Sequence, residues 1–247
     1  MYEKVKKIAK KIIPQQFIKK HEEKLRALVA ISYKGDKVTC TVCDNNFSKF
    51  IQLENNELLC PNCGCLPRTR RLLKLIEDEG SLSTKKLLHF SPPKGFRSKL
   101  KQLELEAYVT TDYEGEFDAD KRLNIEAIEE PDNKYDIIIC YHVLEHIIKD
   151  EQAMGELYRI LKPGGVCFVQ TPFKEGETYE DYSIKSKEER LEHFGQDDHV
   201  RIFSVLGLKN RLRNKGFNVE ELKFGMLEEN RYGFSENETV LKAVKIS

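Results

Sequence analysis

Two Cys-x-x-Cys pairs lie close together in the first third of this 247-residue chain: Cys40 with Cys43, and Cys60 with Cys63. Each pair can place two thiolates on one tight turn, and Zn²⁺ prefers four such ligands at the corners of a tetrahedron. The 16-residue spacing between the pairs is typical of zinc ribbons. Because all four ligands are cysteine, no position stays open for water, which predicts structural zinc. Cys65 is poorly spaced for chelation and is expected to take no part; four free thiols in a core are the alternative.

The composition is that of a globular protein without a membrane span. Hydrophobic residues make up 40% of the chain and charged residues 33%. No run approaches the roughly 18 apolar residues that a membrane helix needs. The first 20 residues are rich in lysine and lack the apolar block of a secretory signal. We therefore expect a cytoplasmic protein, in which paired cysteines bind metal rather than form disulfides.

Charge is distributed unevenly, although the net charge is zero. Residues 1–102 hold 22 Lys and Arg against 10 Asp and Glu, and the remainder holds 19 against 31. A basic N-terminal part favours an anionic partner such as nucleic acid, a phosphorylated carrier or a membrane surface. Alternatively, the two parts attract each other, or the lysines only solvate helices. Arg68, Arg70 and Arg71 leave a similar choice between an anion site and the solvated first turn of a helix.

The pattern of apolar and turn residues predicts four segments. Residues 1–37 are basic and helical and are interrupted by Pro14. They are expected to pack on their own domain, to lie on a membrane surface or to dock on a partner. Residues 38–67 form the zinc ribbon, and residues 68–84 a linking helix that ends at Gly80. In residues 85–247 strands alternate with helices, which predicts a mostly parallel sheet covered on both faces.

Particular strands and helices are expected in the last segment. The strands are Lys86–Phe90, Ala107–Thr111, a short one within Asp118–Ile128, Tyr135–Cys140, Val166–Thr171, Asn218–Phe224 and Thr239–Ile246. The helices are Lys94–Leu105, Asp150–Leu161 and Phe203–Lys215. Residues 173–201 form a long polar insertion between strand and helix.

The most informative stretch is Tyr135-Asp-Ile-Ile-Ile-Cys-Tyr-His-Val-Leu-Glu-His-Ile147, followed by Leu161-Lys-Pro-Gly-Gly165. An apolar strand leads into a loop and a helix, and Pro-Gly-Gly turns the chain into the next strand. This resembles the fourth and fifth strand units of class I methyltransferases, type 11-like, that use S-adenosylmethionine. The resemblance covers Lys85 to Ser247 and implies an α/β, Rossmann-like sheet of seven strands behind an N-terminal helical and zinc-ribbon module.

The resemblance implies that the cofactor binds where the first two strands end. In the family a glycine-rich turn follows the first strand; here the turn has two prolines and keeps only Gly95. The candidates in this turn are His89, Phe90, Ser91 and Gly95. Asp112 follows the second strand and is expected to accept the ribose hydroxyls, the alternative being an acid in a turn or helix cap.

Further cofactor contacts follow from the same resemblance. Asn124 and Ile125 stand where the family often has Asp-Ile or Asp-Leu, so the Asn124 carbonyl oxygen and the next backbone N–H are expected to meet the adenine. A loop asparagine is the alternative. Tyr141 and His142 end the fourth strand, where open α/β sheets bind ligands. Glu145 and His146, which follow, are mainly architectural in the family.

The polar insertion is expected to build the acceptor site. Its stretch Phe194-Gly-Gln-Asp-Asp-His-Val-Arg201 is similar to one in a bacterial subgroup of the family that carries an N-terminal zinc ribbon. We expect His199 to be the general base, oriented by one of the two preceding aspartates, with His193 as second choice. Arg201 is expected to bind an anionic acceptor. The alternative is that these groups only fix the loop.

Three functions remain open from the sequence. The leading one is O-methylation of a small-molecule or glycan-type acceptor. An RNA methyltransferase is less favoured, because the C-terminal part is acidic and lacks the Asn/Asp-Pro-Pro-Tyr/Phe motif used for amino groups on bases. The third is a scaffold that has lost its cofactor, in which case the ribbon would be the interaction surface.

Overall fold

The computed structural model describes residues 15–246, which divide into two compact units. The first unit contains the chain through Ser81, together with Pro93–Leu103 and Phe224–Glu238. The second contains Leu82–Pro92, Glu104–Lys223 and the chain from Thr239 onward. The helix expected before Pro14 lies outside the described residues, and the segment boundaries expected at residues 37, 67 and 84 stay predictions.

The first unit combines helices with two small antiparallel hairpins. Strand β1 pairs with β2, and β3 pairs with β4. Helix α2 begins with Pro67. Proline suits the first helical turn, because it lacks the N–H group that would have no partner within the helix at that position. The elements are α1 (Gln15–Ile31), β1 (Lys34–Thr39), β2 (Asn46–Phe47), β3 (Ile51–Gln52), β4 (Leu58–Leu59), α2 (Pro67–Glu77) and α3 (Lys94–Leu100).

Two arginines of α2 are structural. The Arg70 side chain is fully buried and lies 4.1 Å over the Phe50 ring. It donates hydrogen bonds to four backbone carbonyl oxygens, those of Leu58, Cys65, Tyr232 and Gly233. Arg71 forms a buried ion pair with Glu238, with Nε 2.7 Å from Oε2. Neither arginine is therefore a solvated side chain or an open anion site, and both interpretations from the sequence are wrong for this pair.

A six-stranded sheet forms the second unit, with the strand order β12-β13-β8-β7-β5-β6. Its four strands β6, β5, β7 and β8 run parallel, and β13 is antiparallel to β8. Ile137, Ile138 and Ile139 in β7 are all fully buried, as expected for a parallel strand covered on both faces. The strands are β5 (Lys86–Phe90), β6 (Ala107–Thr111), β7 (Tyr135–Tyr141), β8 (Leu161–Gln170), β12 (Phe217–Phe224) and β13 (Glu238–Lys245).

The mostly parallel α/β architecture is confirmed, with six strands in place of the expected seven. Beyond β6 the described chain makes only one parallel bridge, between Thr111 and Lys121. The reason is local: the Asp120 carboxylate accepts hydrogen bonds from the Thr110 backbone N–H at 3.0 Å and from its hydroxyl at 2.6 Å. The Asp120 side chain thus accepts the Thr110 N–H at the sheet edge, to which a further strand would otherwise bond.

The polar insertion is ordered by its own small sheet. Strand β11 pairs with β10 on one side and β9 on the other. Ser186 and Glu189 form a reciprocal capping box at the start of α5, and Gly195 ends the helix at a φ of 82°. The elements of this region and the two flanking helices are β9 (Phe173–Lys174), β10 (Tyr179–Glu180), α5 (Lys187–Phe194), β11 (Arg201–Ser204), α4 (Asp150–Ile160) and α6 (Val205–Asn214).

Candidate functional site

The two cysteine pairs converge in the first unit. The Sγ atoms of Cys40 and Cys63 lie 3.7 Å apart, and so do those of Cys43 and Cys60. A tetrahedral Zn²⁺ with bonds of about 2.3 Å requires sulfur atoms about 3.8 Å apart. The thiols therefore have the spacing of a zinc tetrahedron, and their soft sulfur ligands suit that ion.

The two Cys-x-x-Cys turns have matching backbones. The N–H of Asp44 donates to the Cys40 carbonyl at 2.9 Å, and that of Gly64 donates to the Cys60 carbonyl at 3.1 Å. Both residues adopt the left-handed conformation, with φ of 55° and 71°. Because the turns match, Cys40 and Cys43 are equivalent to Cys60 and Cys63, which supports these four as the ligands.

Cys65 lies closer to the cluster than its spacing suggested. Its Sγ is 3.3 Å from that of Cys40. Sulfur atoms of Cys40, Cys60, Cys63 and Cys65 all lie within 4.8 Å of one another, so Cys65 is a rival to Cys43 as fourth ligand. The backbone match still favours Cys43, because Cys65 occupies the position that Asn45 has in the first turn.

Hydrogen bonds among the thiols shift their pKa values in opposite directions. Hydrogen bonding to Cys40 lowers the pKa of Cys43 to about 7, and hydrogen bonds to Cys40 and Cys43 lower the pKa of Cys60. Hydrogen bonds to Cys43 and Cys60 raise the pKa of Cys40, and hydrogen bonds to Cys40 and Cys43 raise that of Cys63. Since zinc binds the thiolate, binding by Cys40 and Cys63 must release their protons.

In the second unit, two sheet strands end in strained residues. Ser91 directly follows β5 and has a φ of 49°, and His142 directly follows β7 and has a φ of 53°. Residues other than glycine rarely adopt this conformation, and such strain concentrates at binding sites. Ser91 thus takes the left-handed conformation in a turn where the resemblance leads one to expect glycine.

Asp112 is held beside Ser91. Its carboxylate is buried and accepts a hydrogen bond from the Ser91 hydroxyl at 3.0 Å and one from the Phe117 N–H at 3.2 Å. A carboxylate has about four acceptor positions, so two bonds leave capacity for ribose hydroxyls. The arrangement fits the expected cofactor contact.

The remaining cofactor candidates of the first strand and its turn, His89, Phe90 and Gly95, have other roles in the fold. His89 is buried in β5, its Nδ1 lies 3.0 Å from the Tyr108 hydroxyl, and burial lowers its pKa to about 3, so the ring is neutral. Phe90 packs in the hydrophobic core. Gly95 lies in the first unit, where a Cβ would come within 2.6 Å of the Cys63 carbonyl oxygen. This close approach explains a glycine at 95 without a cofactor.

Asn124 and Ile125 also have partners within the unit. The Asn124 side-chain oxygen accepts a hydrogen bond from the Glu126 N–H at 2.9 Å, which forms a local turn. Ile125 is buried in the core. Their contact with adenine stays a prediction, and the geometry also fits the loop asparagine that was its alternative.

Several buried polar atoms at the ends of β7 and β8 lack a partner. Within residues 15–246, His142 Nε2, Gln170 Oε1 and Thr171 Oγ1 make no hydrogen bond. Buried polar groups are nearly always paired, so unpaired ones need an explanation. A ligand that contacts this edge of the sheet is the simplest explanation.

Next to that edge, Glu145 and two histidines form a cluster that sequence reasoning missed. Glu145 lies in a single 3-10 turn, Leu144–His146, and its carbonyl oxygen accepts the Val200 N–H at 2.9 Å. This backbone contact brings His199 to His146, with their ring centroids 4.6 Å apart. The signal available in the sequence was the adjacent pair Glu145 and His146 after a buried strand. This signal does not reveal the third member, His199, which lies more than 50 residues later in the chain.

The electrostatics of this cluster favour an ionised Glu145 beside neutral His199. Burial alone would raise the pKa of Glu145, but the His142 imidazole, whose Nδ1 lies 3.3 Å from Oε1, lowers it overall. Burial, with the nearby His146, lowers the pKa of His199. Asp198 pairs with His146 at 3.1 Å, and Asp197 pairs with Lys187 at 3.6 Å. The prediction that one of these aspartates orients His199 is therefore wrong.

The other acceptor-site candidates are placed differently. Arg201 is fully buried, pairs with Glu180 at 2.9 Å and donates to the backbone carbonyls of Ile147 and Ile148. This geometry fits the structural alternative better than anion binding. His193 lies exposed on α5, with Nδ1 2.7 Å from the Tyr179 hydroxyl.

We expect Arg201→Met to destabilise the protein by about 1–3 kcal/mol, because the carbonyl oxygens of Ile147 and Ile148 lose their buried donor, whereas Glu180 keeps Arg211 as a partner. Equilibrium unfolding in urea measures this change. Arg213→Met is the matched control: this arginine is exposed on α6 and its removal should change the unfolding free energy by less than about 0.5 kcal/mol. Equal effects of both substitutions would remove Arg201 from the structural role.

Comparisons with known proteins agree on one family. Residues 67–222 match the model of a family described as "Methyltransferase domain". A stretch of 102 residues is 29% identical to the "Probable S-adenosylmethionine-dependent methyltransferase" of Mycolicibacterium smegmatis, and covers 40% of this chain and 34% of that protein. A stretch of 46 residues is 39% identical to the ubiquinone/menaquinone biosynthesis C-methyltransferase UbiE of Hydrogenovibrio crunogenus, and covers 19% of this chain and 18% of that one. The chain thus spans about a third or less of each curated relative's length.

A solved structure supports the fold. An S-adenosylmethionine-dependent methyltransferase from Archaeoglobus fulgidus superposes with a TM-score of 0.51 at 17% identity, and the match covers 72% of this chain and 93% of that one. Among residues 15–246 no helix is long and apolar enough to cross a membrane.

Proposed function

Because the chain belongs to the family of class I methyltransferases that use S-adenosylmethionine, we propose that it transfers the methyl group of this cofactor to a hydroxyl oxygen of a small-molecule or glycan-type acceptor. The resemblance recognised in the sequence is confirmed at the level of family, fold and cofactor. The cofactor supplies an already activated methyl group on a sulfonium. What remains for the protein is to hold the two reactants in line and to accept a proton.

Residues at the ends of four strands support the cofactor part of the proposal. Asp112 follows β6 and keeps acceptor capacity for the ribose hydroxyls. Ser91 and His142 hold the strained turns after β5 and β7. Unpaired Thr171 Oγ1, at the end of β8, adds a polar atom at the same edge of the sheet. Ligands of open α/β sheets bind at this edge.

The observation that carries the acceptor part is the cluster of buried Glu145 and His199 with partly exposed His146 beside the end of β7. His199 Nε2 is buried and makes no hydrogen bond within the described part of the chain. The acceptor oxygen forms a bond to the methyl carbon while the carbon–sulfur bond breaks, and sulfur keeps the electron pair. The hydroxyl proton passes to His199, the base predicted from the sequence, and a buried acceptor nitrogen suits this transfer.

We expect His199→Gln to lower the rate of methyl transfer by about 10²–10⁴-fold, the usual contribution of a general base, and to leave the affinity for S-adenosylmethionine unchanged. The assay follows label from methyl-labelled cofactor into a library of hydroxylated small molecules and oligosaccharides. His193→Gln is the comparison, because that ring is exposed and bonded to Tyr179. A larger loss in His193→Gln than in His199→Gln would exchange the two roles.

No specific observation favours the RNA alternative. Of the arginines that follow the ribbon cysteines, Arg70 and Arg71 are buried, and Arg68 pairs with Glu57 at 2.6 Å.

Peripheral membrane contact by α1 stays a prediction. The exposed side chains of Leu28 and Ile31 on that helix are compatible with it.

A further inference from the structure

We propose that Glu145, His146 and His199 bind a divalent transition-metal ion, at a site separate from the cysteine cluster. One ligand atom from each residue lies within 4.8 Å of the other two. A carboxylate and two imidazoles form the ligand set of non-haem iron sites and of some catalytic zinc sites, which leave coordination positions open. The site lies wholly within the second unit.

A carboxylate holds one of the two histidines in a suitable orientation. His146 Nδ1 lies 3.1 Å from the Asp198 carboxylate, which leaves Nε2 as the ligand. A histidine that binds metal typically uses its other ring nitrogen to bond a carboxylate or a backbone carbonyl. His199 offers a buried Nε2 that has no partner in the described chain.

The third ligand is a buried carboxylate that needs a positive partner. The Glu145 side chain is 1% exposed, and across residues 15–246 neither oxygen makes a hydrogen bond. His142 Nδ1 lies 3.3 Å from Oε1 and is the nearest alternative partner. Burying an ionised carboxylate without hydrogen bonds is costly. A bound cation would satisfy both oxygens.

The position of the ion points to a class of acceptor. The cluster directly follows β7, at the edge of the sheet where ligands bind. Three protein ligands leave open positions that suit an acceptor with two neighbouring oxygens, such as a vicinal diol or a hydroxy acid. This role rests on the proposed function and concerns the metal-bound state of the same site. In that state the ion would lower the pKa of the acceptor hydroxyl, as it does for water, the proton would leave to solvent, and His199 would be a ligand. Only in the metal-free state is His199 the base described above.

The test is titration of the zinc-loaded protein with Mn²⁺ alone. The electron paramagnetic resonance signal of free Mn²⁺ reports how much of the ion stays unbound. Manganese prefers carboxylate oxygen to sulfur and should not displace zinc from thiolates; because it binds most weakly among the first-row divalent ions, the titration extends to high Mn²⁺ concentrations. We expect one Mn²⁺ per chain in the wild type and in His193→Gln, a matched control from the same insertion. The affinity for Mn²⁺ should fall about tenfold or more in Glu145→Gln and His199→Gln. Substitution of a residue that only supports a metal ligand already costs about 10–100-fold in affinity.

Circular dichroism and thermal unfolding establish that each variant folds. If Glu145→Gln does not fold, His146→Gln replaces it, because the His146 side chain is 29% exposed. No bound Mn²⁺ in the wild type, or equal affinity in His199→Gln, would overturn the metal site. Calorimetric titration with S-adenosylmethionine separates the two proposals: a protein that binds the cofactor but no Mn²⁺ keeps the proposed function and loses only the metal.

Discussion

Asp112→Asn will weaken binding of S-adenosylmethionine by about 10–100-fold. The substitution removes the charge from hydrogen bonds to the ribose hydroxyls, and such bonds are worth about 1.5–3 kcal/mol. Asparagine keeps the shape of the side chain and can still accept a hydrogen bond from Ser91, so the turn after β5 should persist. Isothermal titration calorimetry with S-adenosylmethionine and with S-adenosylhomocysteine measures the change.

Glu114→Gln is the matched control for Asp112→Asn, because this exposed carboxylate lies two residues later in the same loop. It should bind the cofactor like the wild type. If Asp112→Asn lowers the unfolding temperature but binds the cofactor normally, its carboxylate only fixes Ser91 and Phe117, and the ribose contact must lie elsewhere.

Cys60→Ser will lose the zinc ion and unfold the cysteine-containing part of the first unit. A structural zinc site contributes about 10–16 kcal/mol to folding, which exceeds the entire stability of most small domains. The second unit has a hydrophobic core formed within its own residues and should stay folded. Elemental analysis reports the zinc, and hydrogen exchange followed by mass spectrometry reports which of residues 38–67 lose protection.

Cys65→Ser and Cys43→Ser distinguish the two possible ligand sets. The matching turns predict that Cys65→Ser keeps its zinc and that Cys43→Ser loses it. Loss of zinc from Cys65→Ser together with retention in Cys43→Ser would make Cys65 the fourth ligand. Retention of zinc in Cys60→Ser would contradict the site itself, because Cys60 belongs to both sets.

Regular strands could be predicted well from the sequence. Lys86–Phe90 and Ala107–Thr111 have the predicted bounds, and the strand from Tyr135 ends one residue later than expected. These are continuous apolar runs between turn signals, so local pattern is enough to define them. The edge beyond β6 was mispredicted because the Asp120 side chain, which no periodicity reveals, takes the place of a strand.

The candidate site was only partly visible in the sequence. Asp112 could be proposed because its position after a strand has meaning in this fold, and its ribose contact stays a prediction. The pairing of His146 with Asp198 could not be predicted, since it depends on the backbone contact between Glu145 and Val200. A charged side chain such as Arg201 looks like a ligand site in the sequence, and only its burial and its ion pair with Glu180 show it to be internal.

The most direct test of the proposed function is calorimetric titration of the purified, zinc-loaded protein with S-adenosylmethionine and S-adenosylhomocysteine. We predict micromolar binding of both, one molecule per chain, because we propose that the cofactor contacts Asp112, Ser91 and the polar atoms after β7 and β8 that have no partner within residues 15–246. Absence of binding to either compound would contradict the account and would make the domain a scaffold that has lost its cofactor.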